Sequence, residues 1–184
     1  MKISIFGLGY VGCVSAACLA EMGHDVIGVD INAHKVRLIN EGLSPIVEEG
    51  LEELILAQRQ AGRLRATTAP DLSDRDLVFI CVGTPSNGNG SLHLDYVNRV
   101  CTDIGRLLRS AGHRITVVLR STVLPGVAEE MAIPALEAAS GMHAGSDFGF
   151  ALNPEFLREG SSVHDFYHPP KTVIGVFDQE SADL

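Results

Sequence analysis

The chain has 184 residues, enough for one domain with a sizeable core or slightly more. Apolar residues make up 46% and charged residues 20%, ordinary proportions for a globular domain. A net charge of −9, with Lys and Arg scattered along the chain, argues against nucleic acid as a partner, and no later apolar run approaches the roughly eighteen residues of a membrane helix.

The first twenty residues, MKISIFGLGYVGCVSAACLA, can be read in two ways. A lysine, an apolar run and the small residues Ser15-Ala16-Ala17 resemble an export signal. Against that, Lys2 supplies only one charge, and Gly7, Gly9 and Gly12 interrupt the run. The succession of segments favours a βαβ unit instead. Lys2–Phe6 predicts a strand, Gly7-Leu8-Gly9-Tyr10-Val11-Gly12 fits G-x-G-x-x-G, and Cys13–Met22 predicts a nearly all-apolar helix closed by Gly23. Asp25–Asp30 then reads as a second strand ending in an acid. In such a unit the first glycine permits a tight turn. The second lets backbone approach a pyrophosphate, and the third lets helix pack on strand. The helix start offers free N–H groups and a positive dipole end to phosphate. Asp30 can accept hydrogen bonds from the adenine ribose hydroxyls and would repel a 2′-phosphate, which favours NAD over NADP.

Further along, Asn32–Gly42 predicts a helix with Asn32 as its cap, and Glu49–Gly62 another with Leu51, Leu54 and Ile55 on one face. Leu64–Thr67 predicts a short strand, and Leu77–Val82 is a continuous apolar run suited to a strand buried on both faces. Ser86–Gly90 reads as a flexible turn. Leu94–Arg109 carries the clearest helical period, with Val97, Val100, Cys101, Ile104, Leu107 and Leu108 on its apolar face. Ile115–Leu119 predicts the next strand. Gly126–Ser140 is helical by composition, with Pro134 expected to kink or divide it. Phe148–Leu152 and Thr172–Val176 read as further strands. Asp178 with the acids after it looks like the start of a helix, which suggests the front portion of a longer protein. Alternating strands and helices predict an α/β fold of Rossmann type: a doubly wound, mostly parallel sheet with helices on both faces.

The cysteines at 13, 18, 81 and 101 show no metal spacing and read as small buried hydrophobes in a reduced, cytoplasmic chain. None of the seven histidines is assigned to a metal, and no metal is expected.

Ligands of open α/β sheets bind outside the carboxyl ends of the strands. Five of those ends carry distinctive residues: Gly7–Gly12, Asp30, Gly83-Thr84-Pro85, Ser121–Gly126 and Asn153–Glu159. Each has a plainer reading beside the functional one. Thr84-Pro85 can be an ordinary turn, Thr122 a hydroxyl bonded to its own loop, and Glu155 and Glu159 acids at a helix start.

Taken together, ISIFGLGYVG, the GVD ending of the second strand, SPIVEEGL, FICVGTPS, RSTVLPG, NPEFLREG and TVIG resemble, in that order, the front half of the UDP-glucose/GDP-mannose dehydrogenase family. The resemblance covers essentially the whole chain, and RSTVLPG with NPEFLREG is far more specific than the glycine turn. Paired prolines before TVIG are more like the GDP-mannose branch. Glu49 stands where proline is expected, and Gly160-Ser161 is closer to the UDP-glucose branch.

The resemblance implies an NAD-dependent oxidation of a sugar C6 alcohol to a carboxylate in two hydride transfers, on a nucleotide-sugar substrate. It implies Tyr10, Val11, Asp30, Lys35, Thr84 and Thr122 as cofactor contacts beside Gly7, Gly9 and Gly12. Phe156, Leu157, Arg158 and Glu159 would line the sugar-nucleotide site. Glu159, helped by Thr122 in positioning water, is expected to do acid/base work, provided it is buried. The resemblance also implies that residues 1–184 are an amino-terminal NAD-binding domain. A central helix, a substrate domain and a nucleophilic cysteine would lie beyond it, and the complete protein would form a dimer or larger assembly. Alone, the chain is expected to bind NAD without completing the reaction.

Overall fold

In the computed structural model, which describes residues 1–184, seven strands make one sheet. They are β1 (Lys2–Phe6), β2 (Asp25–Val29), β3 (Leu64–Thr67), β4 (Leu77–Ile80), β5 (Thr116–Leu119), β6 (Gly149–Leu152) and β7 (Gly175–Val176), in the order β3-β2-β1-β4-β5-β6-β7. The first six are parallel, and β7 runs antiparallel to β6. Seven α-helices accompany them: α1 (Tyr10–Glu21), α2 (Ala33–Glu41), α3 (Leu51–Gln60), α4 (Asp95–Ala111), α5 (Ile133–Ser140), α6 (Ser162–Tyr167) and α7 (Gln179–Asp183). No helix is long and apolar enough to cross a membrane.

Side chains alternate across the strands, so each face of the sheet gathers its own core. On one face Ile3, Ile5, Val26 and Leu77 pack with α1 and α3. On the other, Phe6, Val78, Ile80, Val117 and Phe150 pack with α4 and α5. The chain builds outward from β1 through β2 to β3, then returns to lay β4 on the opposite side of β1. That reversal opens a crevice between the carboxyl ends of β1 and β4, the usual place for a ligand in such sheets.

Several elements differ from the sequence reading, each for a local reason. The first helix starts at Tyr10, directly after Gly9, and not at Cys13, so Gly12 lies inside its first turn. The stretch 126–140 is divided: Ala128–Ala132 is π-helical, with Ile133 N–H donating to the Ala128 carbonyl, before α5 begins around Pro134. Proline has no N–H to give to an i−4 carbonyl, and the wider turn accommodates that loss at the junction. The expected strand 172–176 shrinks to Gly175–Val176 and pairs antiparallel. Ser86–Gly90 is a closed turn: Asn87 N–H donates to the Ser91 carbonyl (2.7 Å), Gly90 N–H to the Asn87 carbonyl (2.9 Å), and Ser86 bridges Leu92. The expected caps are present. Asn32 accepts from His34 N–H at 3.0 Å, and Asp178 accepts from Ser181 N–H at 2.9 Å.

All four cysteines are free and buried. His164 and His168 stand four residues apart around α6, a spacing the sequence reading passed over, and their rings stack at 4.6 Å. No third ligand joins them into a group of three or more His, Cys, Asp or Glu side chains.

Candidate functional site

The glycine turn is built by close backbone approach. Gly7 has φ +97°, and a Cβ there would lie 2.7 Å from the Cys81 carbonyl oxygen at the end of β4. A Cβ on Gly12 would collide with the Gly7 carbonyl oxygen. Gly9 differs, because no atom of the chain beyond its immediate neighbours lies within 4 Å of where its Cβ would stand. Packing within the fold therefore does not require glycine at that position. Gly9 is the N-cap of α1, and neither a side-chain cap nor an acid in the first turn neutralises that helix start. Helix starts of this kind present their leading N–H groups to anions.

Asp30 closes the turn from the end of β2. One carboxylate oxygen accepts Leu8 N–H at 2.7 Å, the other Asn32 N–H at 2.8 Å, and Lys35 Nζ stands 3.9 Å away. Each oxygen keeps a second lone pair for an incoming hydroxyl.

A cavity of about 550 Å³ opens on this turn. Gly7, Gly9, Asp30, Lys35 and Cys81–Gly83 form its floor, and Tyr96, Arg99, Val100, Arg106 and Leu107 of α4 form its far wall. Thr68 and Pro70, beyond β3, complete it. The sequence reading missed this outer wall. It placed Val100 and Leu107 on the apolar face of the helix, and both are only half-buried. No local signal marks them out, since an apolar stripe of this width is ordinary for a core-facing helix.

Gly7, Gly9, Asp30 and Lys35 are therefore brought together on one cavity. Tyr10 and Val11 contribute the first helical turn at its edge. Thr84 and Thr122 lie apart from the cavity wall and meet each other, with the Thr84 hydroxyl donating to the Thr122 carbonyl at 2.7 Å.

A second cavity, about 170 Å³, lies past β5 and β6 between Arg120, Asn153, Glu155, Phe156, Leu157, Phe166 and Lys171. Burial lowers the pKa of Arg120 from its ordinary value, although Cys81 and Glu155 pull it back up. Its guanidinium donates to the Asn153 side-chain oxygen, and Lys171 sits 4.9 Å from the Phe156 ring centre. Phe156 and Leu157 line this cavity, but Arg158 and Glu159 do not. Arg158 forms a two-pronged pair with Asp165, Nε at 3.0 Å and Nη2 at 2.7 Å. Glu159 is exposed, with no hydrogen bond or ion pair, so residues 1–184 do not themselves supply the burial expected for it.

Behind that loop stands Glu48, which the sequence reading did not single out. Its carboxylate accepts from the Tyr10 hydroxyl, from Gly160 N–H at 2.9 Å and from Ser162 N–H at 2.8 Å.

The whole chain, residues 1–184, matches the UDP-glucose/GDP-mannose dehydrogenase family, NAD binding domain. GDP-mannose 6-dehydrogenase of Pseudomonas savastanoi pv. phaseolicola is 56% identical across 100% of this chain and 42% of its own length. A UDP-glucose 6-dehydrogenase of Haloferax volcanii is 45% identical across 95% of this chain and 41% of its own. Among solved structures, a ternary complex of GDP-mannose dehydrogenase from Pseudomonas aeruginosa superposes with a TM-score of 0.96 at 54% identity, covering 100% of this chain and 42% of that one. A UDP-glucose dehydrogenase from Pyrobaculum islandicum gives 0.92 at 40% identity, over 99% and 42%. The chain thus spans about two-fifths of the length of these relatives.

Proposed function

The chain belongs to the UDP-glucose/GDP-mannose dehydrogenase family, and on that footing we propose that it is the NAD-binding half of a nucleotide-sugar 6-dehydrogenase that converts the C6 alcohol of GDP-mannose to the carboxylate of GDP-mannuronate with two NAD. GDP-mannose is preferred to UDP-glucose as substrate because relatives named for it reach 56% identity against 45%.

One observation carries the reading: beside an uncapped helix start, the Gly9 backbone faces a cavity of about 550 Å³ with nothing of the protein opposing it. The residues fit the dinucleotide. Gly9 and the first N–H groups of α1, from Tyr10 and Val11, would hold the diphosphate. Asp30 would accept from the adenine ribose hydroxyls, with Lys35 beside it. Thr84 and Thr122, at the ends of β4 and β5, would border the nicotinamide half. When bound, the nicotinamide supplies a hydride acceptor. Phe156, Leu157, Arg158 and Glu159 would meet the sugar nucleotide. Glu159 is the candidate acid/base group, to be buried by protein outside these residues, and Thr122 the candidate water-positioning group.

The test is a pair of substitutions. Gly9→Ala places a methyl where only ligand would be, so the fold should lose no more than about 1 kcal/mol while NADH affinity falls at least tenfold by calorimetry. Gly12→Ala drives a methyl into backbone and should cost about 1–3 kcal/mol of stability. Undiminished NADH binding by a folded Gly9→Ala chain would refute the cradle.

A further inference from the structure

Glu48 lies in the segment between α2 and α3, yet its carboxylate joins two parts of the chain far from it. The Tyr10 hydroxyl is 38 residues away in sequence, and the Gly160 and Ser162 amides are 112 and 114 residues away. Tyr10 is the first residue of α1, next to Gly9, and its hydroxyl also lies 3.3 Å from the Arg158 carbonyl and 3.2 Å from Gly160 N. A carboxylate only accepts, and here both oxygens are engaged by donors from the two sides.

The loop it grips is the one carrying Glu159. Both neighbours of Glu159 are fixed through their backbone: Arg158 N–H donates to Asp165 at 3.0 Å, and Gly160 N–H donates to Glu48 at 2.9 Å. Gly160 itself turns the chain at φ +86°, a conformation side chains rarely adopt. Between these anchors the Glu159 side chain stands exposed and unpartnered. Its backbone is held in advance of any ligand, and the Glu48 carboxylate reinforces the direct contacts of the Tyr10 hydroxyl with Arg158 and Gly160 that link this loop to the cradle helix.

We infer that Glu48 is a positioning residue that ties the Glu159 loop to the first turn of the cradle helix, so that a dinucleotide on that helix and a nucleotide sugar on that loop strengthen each other's binding. The inference rests on the function proposed above. Any ligand that steadies Tyr10 steadies the shared acceptor, and with it Gly160 and Ser162; by linkage the effect runs equally in the other direction. Glu49, the adjacent acid, is exposed and has no such contact, so the role belongs to Glu48 alone.

Amide hydrogen exchange on the 184-residue chain, free and with saturating NADH, tests this. In the parent, the Gly160 and Ser162 amides should exchange slowly when free and several-fold more slowly with NADH. In Glu48→Ala they should exchange about tenfold or more faster and lose most of their response to NADH, although NADH still binds. Tyr10→Phe keeps the carboxylate on both amides, so they should stay slow in the free chain but lose most of the NADH response. Should Glu48→Ala fail to fold, Glu48→Gln keeps the volume and one acceptor oxygen, and should shift the same amides by a smaller factor. Unchanged exchange of both amides without Glu48 would overturn the clamp. An undiminished NADH response in a Glu48 variant would overturn the coupling. A parent chain that binds no NADH would refute the proposed function and the coupling together, while the ligand-free comparison still decides the clamp.

Discussion

The Asp30 carboxylate serves the fold and the proposed ligand at once. With Leu8 N–H at 2.7 Å and Asn32 N–H at 2.8 Å on its two oxygens, it braces the glycine turn before any ribose arrives. Removing it leaves two amides without their acceptor, so Asp30→Ala should lower the thermal midpoint as well as NADH affinity. The parent should prefer NADH to NADPH, and the variant should show a narrower preference, because the carboxylate that repels a 2′-phosphate is gone. Parallel titrations with both coenzymes and a melting curve check this; equal affinities in the parent would remove Asp30 from the discrimination. The turn at Gly7 and the close packing at Gly12 were legible in the sequence because each is a backbone constraint within one thirty-residue unit, whereas the hold of Asp30 on the Leu8 amide was not read there. Nor was Glu48. It sits beside Glu49 in SPIVEEGL, and nothing local says which acid reaches an amide more than a hundred residues away. The exposure of Glu159 was equally hidden, since burial there depends on what packs over the loop.

At the scale of elements, α4 and α6 are where reading and structure part. The period of α4 was plain, and Val97, Cys101, Ile104 and Leu108 are buried as that period demands. The margin of the same stripe, at Val100 and Leu107, packs partly on the core and also lines the cavity. α6, at six residues, is too short to show a period, and what anchors it to the preceding loop is an ion pair. Asp165 accepts from the Arg158 backbone and guanidinium and from the Ser161 hydroxyl at 3.1 Å. The Arg158 guanidinium, first among these, holds the Asp165 carboxyl well below the usual carboxylate range. Since the folded state favours the charged form, the stabilisation is complete above the ordinary aspartate value of about 3.9 and is lost progressively as pH falls below it towards the folded value. Thermal midpoints of the parent and of Asp165→Asn should therefore differ at neutral pH and converge in acid. A gap that stays constant from pH 7 to pH 3 would show that the pair contributes nothing to the loop.

At the scale of the whole molecule, the placement of the thiols supports the proposal that residues 1–184 alone do not complete the reaction. A covalent step on cysteine needs a thiolate in an accessible, electropositive setting. Here burial pushes the thiols of Cys13, Cys81 and Cys101 up to about 12 and that of Cys18 up to about 11. Cys81 comes nearest to the crevice, lining its cavity at the end of β4, yet its backbone carbonyl packs against Gly7 and its side chain against Gly12. Glu159, at the other end of the proposed site, stands in water. The proposed cofactor cavity and the Glu159 loop thus lie at one sheet edge, with every thiol buried and Glu159 uncovered within residues 1–184, and the chain spans about two-fifths of its relatives' length. The 184-residue chain with NAD and either GDP-mannose or UDP-glucose should give no rise in absorbance at the NADH wavelength while binding NADH in a parallel titration. A thiol reagent should label it slowly when native and at all four cysteines when unfolded. Sustained NADH production by the chain, abolished on replacing one of these cysteines with serine, would show that a buried thiol becomes reactive and that residues 1–184 suffice for chemistry.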